Sequence, residues 1–169
     1  YTDKEQCVEC SGSGWDEPFR TITLGGLAHH RLYTMTLEDL YSFLEGLAGH
    51  EESAPWFNSF LILERRLRFL CRVGLGYLAL DRQTATLSAG EAMRVRLSSL
   101  LGSRLTNLTV LLDEPTRGMH PCEVEALLSS LEELRDGGNT VVMVEHDLDC
   151  IFRADHFIEL GPTGGSQGG

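Results

Sequence analysis

The sequence predicts an α/β fold: parallel strands joined by crossover helices, preceded by a helical region and a short cysteine-bearing segment. Three observations predict it. Thr109–Leu112 and Thr140–Val144 are short, continuous apolar runs, the signature of strands buried on both faces. Between them, Val124, Leu127, Leu128, Leu131 and Leu134 recur at helical spacing behind Pro121, a residue suited to a first helical turn, and Gly137-Gly138 closes the helix. A short helix over 147–154 and a third apolar run at 156–160 complete the alternation of strand and helix that builds a parallel sheet.

The elements before residue 105 read as helical. Thr36 and Asp39 form a capping box for a helix over 36–48, with Leu40, Leu44 and Leu47 on one face. A loop at 49–54 leads to a helix over 55–73, rich in Leu and Arg and stopped by Gly74. Ser88 and Glu91 cap a third helix over 88–101, which Gly102 ends. The expected organisation is a cysteine-bearing segment at 1–20, a helical region at 21–87, and an α/β half-core at 88–169. No internal repeat is present, and the Gly-rich stretch after Leu160 reads as a turn or a module boundary.

At 169 residues, with 42% apolar and 8% aromatic side chains, the chain can bury a core and does not read as disordered. No run of about 18 apolar residues exists, so no membrane-spanning helix is predicted. Fourteen basic against 25 acidic residues leave a net charge of −11, which weighs against this segment alone being a nucleic-acid clamp. Arg65, Arg66, Arg68 and Arg72, with Arg94, Arg96 and Arg104, could meet phosphates; a solvated face balancing the acids is the plainer account. Five cysteines without a secretory leader fit a reducing, cytoplasmic setting. The chain opens on Tyr1 rather than Met, so a fragment of a longer protein is expected.

Three motifs can carry chemistry. Asp113 and Glu114 are paired carboxylates where a parallel strand ends, the place where ligands of open α/β sheets gather. An Asp there can hold Mg²⁺ through water, and the neighbouring Glu can orient or deprotonate an attacking water. The same Asp-Glu-Pro also makes a plain polar turn. Ser88, Ala89 and Gly90 open a helix whose N-terminus suits a phosphate, although Ser-x-x-Glu equally reads as a simple cap. His146, after the second strand, can reach a γ-phosphate or hold a catalytic Glu, or serve structure alone. Cys7 and Cys10 have zinc-knuckle spacing and supply two of the four ligands structural zinc wants. Cys71, Cys122 and Cys150 fall in or beside predicted core elements, where they would act as small apolar residues.

The order LSAGE (87–91), VLLDEP (110–115) and VEHD (144–147) resembles the second half of an ABC-type P-loop ATPase. The run Arg66-Leu67-Arg68-Phe69-Leu70, Val73-Gly74-Leu75-Gly76-Tyr77-Leu78, Leu80-Asp81-Arg82, with the CxxCxG start and the closing Gly161-Pro162, narrows the resemblance to the UvrA family of nucleotide excision repair. The N-terminal of that family's two ATPase modules is the nearer match. The CxxCxGxG start is also similar to the zinc repeats of DnaJ chaperones, which come in several copies.

The resemblance implies ATP and Mg²⁺ as cofactors, with Zn²⁺ in the intact protein. It makes Ser88, Ala89 and Gly90 the signature loop that touches ATP on an opposing module or second subunit. Asp113 becomes the acid near Mg²⁺, Glu114 the catalytic base, Thr116 to His120 the loop between sites, and His146 the switch histidine. It implies damaged duplex DNA, a homodimeric second subunit and a UvrB-like protein as partners, with no membrane. Departures from the family are Ala89 for Gly, Met93 for Gln, and Arg117 and Met119 after the acidic pair; they suit a divergent UvrA-like resistance protein as well as a housekeeping one. A nucleotide-gated clamp or scaffold is the remaining alternative. No GxxxxGK[ST] is present and the one lysine is Lys4, so this segment is expected to be inactive alone and to supply part of a composite site.

Overall fold

The computed structural model describes residues 7–10, 14–47, 55–101, 103 and 105–161. Two compact units divide after Arg104. The helix that begins at Ala89 therefore belongs to the first unit and the Asp113 strand to the second; Gly12, the loop at 49–54, Gly102, Arg104 and Pro162 lie outside the described residues.

In the first unit, α1 (Glu17–Arg20) precedes an antiparallel hairpin of β1 (Thr23–Leu24) and β2 (Leu27–Ala28), followed by α2 (His29–Leu32). The Gly25-Gly26 turn lies in the left-handed region, at φ 55° and 81°, which L side chains avoid. At Gly25 a Cβ would also come within 2.7 Å of Leu47 Cδ2. Helix α3 (Leu37–Leu47) starts where the sequence predicts. The Thr36 hydroxyl accepts from the Asp39 N–H at 3.1 Å and donates to its carboxylate at 2.7 Å, and Leu37, Leu40 and Leu44 are buried.

Helix α4 (Phe57–Leu70) runs into a wide helical turn at Cys71–Leu75, which Gly74 ends at φ 78°. Leu67, Val73 and Leu75 are almost wholly buried there. The following segment doubles as a cap for α3: the Leu37 and Glu38 N–H groups donate to the Leu78 and Gly76 carbonyls, at 2.7 and 3.0 Å. Helix α5 is Ala89–Leu101. The Arg-rich faces are mixed. Arg65, Arg68, Arg72 and Arg96 are exposed, Arg66 and Arg94 half-buried, and Arg68 pairs with Glu64 and Tyr41.

The second unit holds β3 (Thr109–Asp113), α6 (Pro121–Asp136), β4 (Thr140–Val144) and α7 (Leu148–Arg153). The strands are parallel and in register from Thr109 opposite Thr140 to Asp113 opposite Val144. Asn139 joins the end of α6 to the start of β3: its amide donates to the Leu134 carbonyl at 2.8 Å and accepts from the Leu108 N–H at 3.0 Å.

Three expectations are corrected. The strands are covered on one face only: Val110 and Leu112 are buried, whereas Leu111, Val142 and Val144 are exposed. Helix α6 can cover one face of a two-stranded sheet, and no described residue of this unit covers the other. Residues 156–160 form no strand, because β3 and β4 pair with each other and the run has no ladder to join among the described residues. Cys150 is buried as expected, but Cys71 is only half-buried and Cys122 is exposed in the first turn of α6. No helix among the described residues is long and apolar enough to cross a membrane.

Candidate functional site

In the second unit the parallel register decides what meets. Because β3 and β4 end together, the residues that leave them lie side by side. The Glu114 N–H still donates to the Val144 carbonyl at 2.9 Å, as a last rung. Its backbone then turns into the left-handed region at φ 42°, which a glutamate adopts only at a cost of about 1–2 kcal/mol. The turn brings Glu114 Oε1 to 4.0 Å from His146 Nδ1 and Glu114 Oε2 to 3.2 Å from the Arg117 guanidinium. Both contacts are solvent-exposed, so they orient the carboxylate more than they stabilise the fold. Asp113 ends β3 with its side chain exposed.

Glu145 joins the two strand ends, and the sequence reading gave it no role. One of its oxygens accepts from the Thr116 N–H at 2.9 Å and the Thr116 hydroxyl at 2.7 Å. The other accepts from the N–H groups of His146, at 3.1 Å, and Asp147, at 3.4 Å. Burial alone would raise its pKa, but these donors outweigh burial and hold the carboxyl below its ordinary value. Sitting between the Glu114 turn and the His146 loop, it is the anchor of both. The signal that could have found it is an acid directly after a strand, beside a second strand that also ends in acids.

The post-strand loop closes on α6. The His120 ring accepts from the Cys122 N–H at 3.4 Å, and Glu123 accepts from the His120 N–H at 2.9 Å, so His120 caps the helix in place of the usual Ser or Asp. Cys150 lies under the same loops. Burial, and then the nearby charges of Glu145 and Asp147, push its thiol up to about 12, so it stays protonated.

In the first unit, Ser88 and Glu91 form the expected box. The Glu91 N–H donates to Ser88 Oγ at 3.2 Å, and Glu91 Oε2 accepts from the Ser88 N–H at 2.6 Å. The Ala89 and Gly90 N–H groups open the helix with no acceptor inside it. A Cβ at Gly90 would meet only the Arg94 Nη1, at an ordinary 3.7 Å. Glycine in a helix is therefore unfavourable here without a reason in the chain's own packing, which fits a loop that must let a ligand approach. Tyr77, another residue that the sequence reading left without a role, donates its hydroxyl to the second Glu91 oxygen.

At the N-terminus, Cys7 is exposed and Cys10 half-buried, and neither is in a disulfide. The Cys10 and Glu9 N–H groups hold the Cys7 thiol below its ordinary pKa, and the Gly14 N–H donates to Cys10 Sγ at 3.3 Å. Only Val8 and Glu9 separate the two cysteines, and this CxxC pair fits a thiophilic metal as two of its ligands. No group of three metal-ligating side chains occurs among the described residues.

Comparison with known proteins agrees with the motif order. No protein-family model matches the chain. The UvrABC system protein A of Aquifex aeolicus is 40% identical over 172 residues, and that of Methanothermobacter thermautotrophicus 37% over 170; both matches take in the whole of this chain. From end to end, the chain resembles a segment of UvrA. The crystal structure of UvrA2 from Deinococcus radiodurans matches 96% of the chain with a TM-score of 0.79 and 39% identity. The chain spans 18–19% of the length of those two UvrA relatives and 22% of the UvrA2 chain. The α/β architecture, and the likeness to UvrA carried by the run over 66–82 and the CxxCxG start, thus stand.

Proposed function

We propose that this UvrA-like segment supplies the signature loop, acidic pair and switch histidine of an ABC-type ATPase acting in nucleotide excision repair. The observation that carries the reading is Glu114: a carboxylate on a left-handed backbone at a strand end, with His146 4.0 Å away. Backbone held in a costly conformation is concentrated at working sites.

The residues fit ATP and Mg²⁺. Asp113, exposed at the end of β3, would hold Mg²⁺ through water, and the bound metal would neutralise charge on the phosphates. Glu114 orients and deprotonates the attacking water, its second oxygen steadied by Arg117. His146 faces the same carboxylate and would sense the terminal phosphate. Glu145 holds the loops of Glu114 and His146 at their separation. Ser88, Ala89 and Gly90 would meet the phosphates of a nucleotide on an opposing module, using the N–H groups and partial positive charge of the α5 N-terminus. Cys7 and Cys10 would hold Zn²⁺ with two ligands from elsewhere in the longer protein.

In that protein the partners would be damaged duplex DNA, a second subunit and a UvrB-like protein, in the cytoplasm. Ala89 and Met93, where the family has Gly and Gln, suit a divergent UvrA-like protein, such as one acting on drug-bound DNA, as well as a housekeeping one, and this is the second reading. The test uses the full-length protein: Mg²⁺-dependent ATP hydrolysis, and binding to a lesion-bearing duplex against an undamaged one. Hydrolysis lost in Asp113→Asn together with preference for the lesion is the expected result. A full-length protein with no ATPase activity and no preference would overturn the reading.

A further inference from the structure

The capping box at Ser88 has an extra member. A Glu in such a box uses one oxygen to accept the N-cap N–H, as Glu91 Oε2 does at 2.6 Å from the Ser88 nitrogen. Its other oxygen ordinarily faces water. Here Glu91 Oε1 accepts from the Tyr77 hydroxyl, 14 residues earlier in the chain. Tyr77 is 56% exposed, so its ring adds little to the core and its hydroxyl is the informative contact. Both groups respond. Tyr77, and then the Ser88 N–H, hold the Glu91 carboxyl below its ordinary pKa, and Glu91 in turn raises the Tyr77 phenol.

The anchor behind Tyr77 is firm. It follows the wide turn whose Val73 and Leu75 are fully buried, and its neighbour Leu78 is buried too. Gly76 and Leu78 on either side accept the first N–H groups of α3, Ala79 bridges Thr36, and the Asp81 N–H donates to the Tyr33 carbonyl at 3.0 Å. A second brace lies at the other end of the loop. Arg82 donates to the Thr86 hydroxyl at 3.2 Å and to its carbonyl at 3.3 Å. The residues leading into Ser88 are thus fixed to the 76–82 segment by Arg82, and the residues after it by Tyr77.

We propose that Tyr77 is a positioning residue for the nucleotide-facing loop: its hydroxyl sets the Glu91 carboxylate, which fixes Ser88 and aims the N–H groups of Ala89 and Gly90. This rests on the reading of Ser88–Gly90 as a phosphate-contacting loop. A tyrosine at 77 and an acid at 91 then act as one unit. Removing the hydroxyl leaves the box intact but lets the carboxylate swing, so binding weakens while the chemistry at Glu114 is spared.

The test is a double-mutant cycle in the full-length protein with Tyr77→Phe, Glu91→Gln and the pair, reading the KM for ATP, kcat and the unfolding midpoint. Tyr77→Phe should raise KM about three- to tenfold, the net worth of one ordinary hydrogen bond. It should leave kcat within about twofold and the midpoint within about 2 °C. The pair should be no worse than Glu91→Gln alone, because both changes break the same link. An unmoved KM, effects that multiply, or a loss of activity that tracks a fallen midpoint would each overturn the role. Gly90→Ala run alongside separates the two failures. If it raises the KM for ATP while Tyr77→Phe leaves KM unmoved, the Tyr77 role alone fails; if neither moves KM, the phosphate-contacting reading of Ser88–Gly90 fails with it.

Discussion

The two candidate loops are built in opposite ways. In the first unit the Ser88–Gly90 loop has relaxed backbone, and side chains hold it: Glu91 on Ser88, Tyr77 on Glu91, Arg82 on Thr86. In the second unit the Glu114 turn is held by strand register and by one half-buried carboxylate, Glu145, with a non-glycine backbone at positive φ. The difference matches the two tasks proposed for them. A loop that only contacts phosphate needs open N–H groups in ordinary helix geometry. A carboxylate that must face one water needs a fixed direction, and the local structure bears strain to give it.

This comparison can be broken at its strongest link first. Glu145→Gln removes a charged acceptor shared by four donors and should cost about 1–3 kcal/mol in the second unit. Glu145 has a depressed folded pKa, so its contribution is full above the ordinary value of 4.5 and is lost as pH falls through the lower folded value. Acid unfolding followed by circular dichroism should therefore show a gap between wild type and Glu145→Gln at neutral pH that closes below about pH 4.5. A gap that persists in acid would mean that Glu145 does not act through its charge.

Next in size is the strain itself. Glu114→Gly should stabilise the second unit by about 0.5–1 kcal/mol in chemical denaturation, since glycine accepts φ 42° freely, while ATP turnover of the full-length protein falls. Destabilisation instead would show that the turn is not strained. The smallest effect belongs to the relaxed loop. Gly90→Ala should raise stability by up to about 0.5 kcal/mol, because a Cβ has room beside Arg94, and should raise the KM for ATP. A KM that does not change would remove the argument that the glycine admits a ligand.

Much of the fold was legible where side chains act locally. The Thr36 and Ser88 boxes, the Gly74 stop and the α6 stripe from Val124 to Leu134 all form as their spacing predicts. The Gly25-Gly26 hairpin carried its signal too, in two glycines between Thr-Leu and Leu-Ala, but strands of two residues give no periodicity to read. What was not legible depends on neighbours. Apolar runs cannot say whether one face or both will be covered, so Leu111 and Val142 were read as buried and are exposed. The run at 156–160 has strand composition but no partner. Of the candidate site residues, Glu114 and His146 could be named from sequence, and their approach within 4.0 Å comes from the shared register of β3 and β4. Tyr77 and Glu145 could not be named, because each acts by a hydrogen bond across 14 or 29 residues.

The most direct test of the central claim, that Glu114 is the base of an ATPase site, is single-turnover ATP hydrolysis by full-length Glu114→Gln with nucleotide affinity measured in parallel. The account predicts affinity within about threefold of wild type and a chemical step slowed at least roughly 100-fold. A hydrolysis rate equal to wild type would contradict it.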